Sequence, residues 1–157
     1  MFDAELHQIM NFLAITPTIA TAGQPTATQF ATVQQAGYQV VVNLAPPTAP
    51  DALADEATIV ATHSLDYVHI PVVWEAPTLA DFEQFVAVMQ TYSDRPIFVH
   101  CARNMRVSAF LYLYRQLFLS TPEVIARRDL QRIWQPDDRW QAFLDRVLEY
   151  YRSSEVC

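Results

Sequence analysis

One cysteine sits where a buried strand gives way to a helix. Ile97-Phe98-Val99-His100 is an apolar run closed by a histidine. Cys101 follows at once, then Ala102-Arg103-Asn104-Met105-Arg106, then an apolar segment beginning at Val107 and Ser108. A strand that turns directly into a helix aims backbone N–H groups and the positive end of the helix dipole at the connecting loop, which makes an anion site. The same field favours a thiolate over a thiol, and the thiolate is the nucleophilic form. The plain alternative is a buried cysteine acting as a small hydrophobe. Its place at a strand end, with Arg103 and Arg106 close behind, favours chemistry.

The neighbouring residue types divide the work. Arg106 offers a planar fork that grips a tetrahedral oxyanion in two places and supports a thiolate. Arg103 competes for that role, but two positions after the cysteine it points outward on the loop, so Arg106 ranks first. His100 alternates to the other face of its strand from Cys101. It is therefore expected to hold the loop by hydrogen bonds and not to act as a base. Ser108 is placed to donate to the Cys101 sulfur. A covalent route also needs an acid for the leaving oxygen and a base for water. Glu75, about 26 residues before Cys101, is the first candidate. Asp81 is the second, although a carboxylate in the first turn of a helix also serves the helix dipole. His63 and His69 have no metal-ligand spacing with Cys101, so neither a metal nor an organic cofactor is expected.

Composition narrows the partners. The 157 residues carry 10 basic and 17 acidic side chains for a net charge of −7, and every basic residue is arginine. An acidic chain without a basic stripe argues against nucleic acid or an anionic membrane as partner. An anionic substrate must then be captured by a local site. The only cysteines are Cys101 and Cys157, too thin a pattern for a disulfide scaffold, and Cys157 reads as a free terminal thiol. Asp3 and Glu5 stand where a signal peptide would be basic, and no apolar run approaches the roughly 18 residues that span a bilayer. A single domain over 1–157, cytoplasmic, is the expectation.

The elements that would position these residues alternate. Leu6, Ile9, Met10 and Leu13 predict a helix over 4–14, and Ile15 to Ala22 reads as one strand closed by Gly23-Gln24-Pro25. Gly23, one of two glycines, suggests unusual backbone geometry. Thr26 is expected to cap a helix from Ala27 to Ala36, stopped by Gly37, before a buried strand from Tyr38 to Leu44. A loop follows at Pro46, Pro47 and Pro50, and Asp51 caps a helix to about His63. The strand from Asp66 to Val73 is broken by Pro71. Thr78 caps a helix to about Tyr92, and the strand from Pro96 to His100 leads to the cysteine. Helices then run from Val107 to Leu119, from Pro122 at N1 to about Trp134, and from Pro136-Asp137-Asp138 through Tyr151. The pattern implies an α/β domain with a mostly parallel sheet, whose ligands bind beyond the carboxyl ends of the strands. Asn43-Leu44-Ala45, Val73 to Glu75 and the cysteine loop should share that rim.

His100-Cys101 with Arg106-Val107-Ser108 resembles the His-Cys-x5-Arg-Ser/Thr signature of cysteine-dependent protein tyrosine and dual-specificity phosphatases. Four stretches match more closely a small bacterial phosphatase-like family related to the domain found beside β-lactamase-like hydrolases. They are Thr21-Ala22-Gly23-Gln24-Pro25-Thr26, Val41-Val42-Asn43-Leu44, His69-Ile70-Pro71-Val72 and the cysteine loop, and the likeness runs from about 15 to 145. The resemblance implies a four- to five-stranded sheet flanked by helices, a Cys101 nucleophile and an Arg106 clamp. It further implies a cradle over Ala102, Arg103, Asn104, Met105 and Arg106, and an acid between 73 and 81. Three departures stand out, the first being that the family's acid is commonly Asp whereas this chain offers Glu75. Four residues, not five, separate Cys101 from Arg106, and Asn104 occupies the place of the usual glycine. Asparagine tolerates the left-handed region better than most residues.

Three functions fit this pattern. The first is a phosphatase acting on a phosphorylated protein or small molecule, phosphotyrosine among the candidates, through a phosphocysteine. The second is a rhodanese-like sulfurtransferase using a Cys101 persulfide, suggested by the short loop. The third is an inactive module that binds phosphate or a partner.

Overall fold

The computed structural model describes residues 3–154; Cys157 lies outside the described residues. Twelve elements follow one another: α1 (Asp3–Leu6), β1 (Leu13–Thr16), β2 (Ile19–Ala22), α2 (Gln29–Gln35), β3 (Val40–Asn43), α3 (Glu56–Thr62), β4 (Asp66–His69), α4 (Leu79–Thr91), β5 (Ile97–His100), α5 (Met105–Phe118), α6 (Glu123–Ile133) and α7 (Asp138–Ser154). The five strands lie in the order β1-β2-β5-β3-β4. β1 and β2 form an antiparallel hairpin, and all other pairings are parallel. The mostly parallel α/β sheet expected from the alternation is present.

The register explains where a site can form. Ala22 pairs with His100, His100 with Asn43, and Asn43 with His69. Four parallel strands therefore end on one rung, and the residues just beyond form a common rim. Cys101 is one of them, beyond the central strand β5.

Strand alternation sorts side chains to two faces. Ile97, Val99 and Cys101 join Val40 and Val42 against α4 to α7, whereas Phe98 joins Val41, Ala20 and Ala22 against α1 to α3. His100 lies on the second face, its ring 6.0 Å from that of Phe30. Residues 106–115 of α5 are all buried, so this helix is enclosed on every side, as its apolar composition requires.

The N-terminal region departs from expectation. The periodic apolar residues over 4–14 do not make one helix. α1 stops at Leu6, and Asn11 takes a left-handed conformation (φ 49°) that turns the chain into β1. The stretch from Ile15 to Ala22 is not one strand but part of a hairpin, because Pro17 cannot donate to a ladder and marks its turn. Asp51 does not cap a helix: it sits in a turn with φ 63°, and α3 starts only at Glu56. Thr26 lies outside α2, though its Oγ1 accepts from Gln29 N–H, and Pro122 is the N-cap of α6 and not N1. Gly37 ends α2 with φ 103°, and Thr78 caps α4, both as expected. No helix among the described residues is long and apolar enough to cross a membrane.

Candidate active site

A cleft of about 410 Å³ opens on the rim. Cys101 lies at it with Ala102, Arg103, Met105 and Arg106 from its own loop, Trp74 and Glu75 from the segment after β4, and Pro46 and Pro50 from the loop after β3. Val73 to Glu75 and the cysteine loop meet here as expected, because β3, β4 and β5 end on one rung, but from the β3 end Pro46 and Pro50 line the cleft and not Asn43-Leu44-Ala45. The short spacing is accommodated by an early helix start. α5 begins at Met105, so Arg106 falls in its first turn and still faces the cleft with Cys101.

Arg106 is the most informative residue. It is only 8 % exposed, no ion pair involves it among the described residues, and its Nε finds no hydrogen-bond partner. Its guanidinium carbon stands 5.4 Å from the centre of the Trp74 ring. A buried cation without a counter-charge is unfavourable unless an anion completes the site. Arg103, in contrast, is exposed, as a residue pointing out of the loop should be.

The loop carbonyls are held by donors that do not line the cleft. His100 Nδ1 lies 3.1 Å from the Cys101 oxygen, Gln24 N–H donates to the Ala102 oxygen at 2.9 Å, and Asn11 Nδ2 donates to the Arg103 oxygen at 3.0 Å. An anion site needs this, since a carbonyl facing the cleft would repel the ligand. Asn104 adopts φ 67°, so it does substitute for glycine in backbone terms. Its side chain turns inward, donating to the Asn11 oxygen at 2.8 Å and to Thr21 Oγ1 at 3.0 Å. Of the five expected cradle residues, Asn104 alone does not line the cleft.

His100 occupies the place foreseen for it, completely buried behind the loop. Its Nε2 is 2.8 Å from Glu56 Oε2. The ring thus bridges the Cys101 carbonyl on one side and the Glu56 carboxyl on the other. Glu56 also accepts from Gln24 Nε2 at 2.7 Å, and the nearby Tyr67 oxygen accepts from Asn43 Nδ2 at 3.0 Å. Burial pushes the Glu56 carboxyl up. The hydrogen bond and charge of His100, with Gln24 and Tyr67, outweigh burial and leave the carboxyl below its ordinary value. The Tyr67 phenol is pushed well up by burial.

Among the acids, Glu75 is exposed at the cleft and is the sole carboxylate lining it among the described residues. Asp81 is engaged elsewhere: it forms a capping box with Thr78 at the start of α4. The Ser108 hydroxyl donates to the Met105 oxygen and accepts from Trp134 Nε1 at 3.1 Å, so it is committed to groups other than the sulfur expected as its acceptor. Trp74, Trp134 and Trp140 pack against one another at tilted and edge-on angles beside the cleft, and Trp140 Nε1 donates to the Trp74 oxygen. This anchors the segment that carries Glu75.

Sequence reasoning missed Glu56, Gln24, Asn11 and Trp134. Gln24 lay inside a stretch already singled out beside Gly23, but nothing local marks Glu56 or Asn11, whose partners are 44 and 92 positions away. Gly23 proves special for a different reason from the one expected. Its φ is ordinary, but a Cβ there would stand 2.6 Å from the Ala102 oxygen and 3.1 Å from the Arg103 Cα. The close approach of strand and loop, not an unusual dihedral, requires glycine.

Comparison with known proteins identifies the family and the fold. The family model described as DSP-PTPase phosphatase fused to NAD+ kinase matches residues 15–142. A candidate phosphatase (DUF442) from Shewanella putrefaciens CN-32 is 34 % identical, with a TM-score of 0.85 over 94 % of this chain and 97 % of that one. The fold is also that of P. aeruginosa TpbA in complex with pTyr (18 % identity, TM-score 0.70, 86 % and 83 % covered). The core catalytic domain of the PP-IP phosphatase SIW14 from S. cerevisiae shares it too (14 %, 0.72, 87 % and 85 %). No curated protein matches at a significant level. A family model covering most of the chain and a relative at one-third identity over nearly its full length place it: the chain belongs to the cysteine-dependent DSP/PTPase phosphatase family and is a phosphoric monoester hydrolase.

Proposed function

We propose that the Cys101 thiolate attacks the phosphorus of a phosphate monoester. An S–P bond forms, the P–O bond to the leaving group breaks, and Glu75 gives its proton to the departing oxygen. Arg106 and the amides of the loop over 102–106 hold the remaining phosphoryl oxygens. Water, deprotonated by the same Glu75, then displaces Cys101 and releases inorganic phosphate. No metal or cofactor takes part. The observation that carries this reading is the buried Arg106 guanidinium, without a carboxylate partner, in the cleft where Cys101 lies.

The walls suggest the substrate. Pro46, Pro50, Val73, Trp74 and Met105 are apolar, and Arg103 is the only cation among the lining residues besides Arg106. A single phosphate on an aryl group, as in phosphotyrosine, suits such a cleft better than a polyphosphate. P. aeruginosa TpbA, of the same fold, was solved with pTyr. A nucleophilic thiol suits a reducing compartment, so the reaction belongs in the cytoplasm. The experiment is hydrolysis of p-nitrophenyl phosphate by the wild type and Cys101→Ser. Turnover abolished by the substitution supports the assignment, and unchanged turnover refutes it.

A further inference from the structure

Asn11 belongs to no segment of the cleft, yet it touches the cysteine loop twice. Its Nδ2 donates to the Arg103 oxygen, and its own backbone oxygen accepts from Asn104 Nδ2. Each asparagine adopts the left-handed conformation, Asn11 with φ 49° and Asn104 with φ 67°. Each therefore binds the main chain at the other's turn, a reciprocal clasp between the start of the sheet and the cradle.

We propose that Asn11 is a positioning residue for the anion cradle. The proposal rests on reading the loop over 102–106 as an oxyanion site. A peptide unit is planar and trans, so holding the Arg103 oxygen also fixes the direction of the Asn104 N–H. The clasp thus controls the peptide before Asn104 and, through Asn104 Nδ2, the side chain of Asn104 itself. Asn104 is where the chain turns from loop into α5. Fixing it sets where the helix starts, and with it the direction of the Met105 and Arg106 amides and of the Arg106 side chain in the first turn. Gly23 holds the other side, its N–H donating to the Met10 oxygen beside Asn11. The position needs a left-handed residue with an amide donor, and asparagine supplies both.

The Asn11 side chain is exposed, and a hydrogen bond in water contributes little net stability. Loss of the clasp should therefore loosen the cradle without unfolding the protein, which separates positioning from bulk stability. The test measures tungstate affinity by tryptophan fluorescence, together with steady-state hydrolysis of p-nitrophenyl phosphate. The variants are Asn11→Asp, isosteric without the donor, and Asn11→Gly, which keeps the left-handed backbone without a side chain. Both should raise the tungstate Kd and the KM roughly 10-fold, with kcat changed less and Tm almost unchanged. In Asn11→Asp combined with Asn104→Asp the loss should be less than additive, because the two residues share one network. Wild-type Kd and KM in both Asn11 variants overturn the proposal. A wild type that binds tungstate without hydrolysing the ester refutes the phosphatase reading alone, since affinity still reports on Asn11. A wild type that binds no oxyanion refutes both.

Discussion

The guanidinium carbon of Arg106 stands 5.4 Å from the centre of the Trp74 ring, while no acidic side chain among the described residues pairs with it. An aromatic face steadies a cation but leaves its hydrogen-bond donors free. The pair keeps the fork oriented and available for an oxyanion, and it ties the arginine to the segment that bears Glu75.

Arg106→Ala and Arg106→Lys should both lower kcat/KM for an aryl phosphate by roughly 10²-fold or more, the range for removing an oriented donor from an oxyanion. Lysine keeps the charge but not the two-pronged geometry, so it should not rescue. All three tryptophans of the chain lie in the cluster over this arginine. Tungstate should therefore shift the emission of the wild type and leave that of Arg106→Ala unchanged. Fluorescence titration beside steady-state kinetics checks both.

Glu75 and Asp81 should separate cleanly. Glu75→Gln removes the acid that lines the cleft and should cost about 10²-fold in kcat with a poor leaving group, less with p-nitrophenol, which needs little protonation. Asp81→Ala removes the side-chain acceptor of the capping box and should lower stability by about 1 kcal/mol with kcat unchanged. A leaving-group series and a denaturant melt on the two variants decide the matter.

Gly23→Ala should damage the site from behind. The added methyl would meet the Ala102 carbonyl, which is backbone and cannot rotate away, so the loop must move. Overpacking of this kind costs about 1–3 kcal/mol. Unlike a cavity mutant, this variant should lose oxyanion affinity together with stability, as calorimetry of binding and of melting will show.

The buried Glu56–His100 pair gives an acid-side signature. The Glu56 carboxyl in the folded state lies below its ordinary value near 4.5. Its contribution to stability is thus complete above that value and is lost as pH falls through the lower, folded one. Glu56→Ala leaves His100 buried without its partner and should cost about 3 kcal/mol at neutral pH. Melts from pH 7 down to about 3 should show the wild type losing this increment, whereas Glu56→Gln should be flatter over the same range.

The scaffold of the site was legible in the sequence because it depends on local pattern. The apolar run before Cys101, the Thr78 cap, the Pro71 break and the enclosed helix after Met105 are each written in adjacent residues. The helix over 4–14 failed because Leu6, Ile9 and Leu13 share a helical spacing by coincidence. Leu6 and Ile9 pack under α2, and Asn11 redirects the chain before Leu13 enters the sheet. Glu56 was invisible because a glutamate opening a helix looks like an ordinary dipole partner, and only the fold brings His100 to it. That Cys101, Arg106 and Glu75 would share one cleft could be expected from residue type and order. The clasp and network that aim them are made by residues dozens of positions away.

The central claim is a covalent phosphoryl group on Cys101. Rapid acid quench of the enzyme turning over an aryl phosphate, followed by intact-mass and peptide analysis, tests it most directly. The expected result is a gain of one phosphoryl group located on Cys101, more abundant in Glu75→Gln, where both the protonation and the water attack are slowed but a good leaving group lets the first step proceed. Cys101→Ser should carry no such adduct and show no turnover. Turnover without any adduct, undiminished in Cys101→Ser, would contradict it.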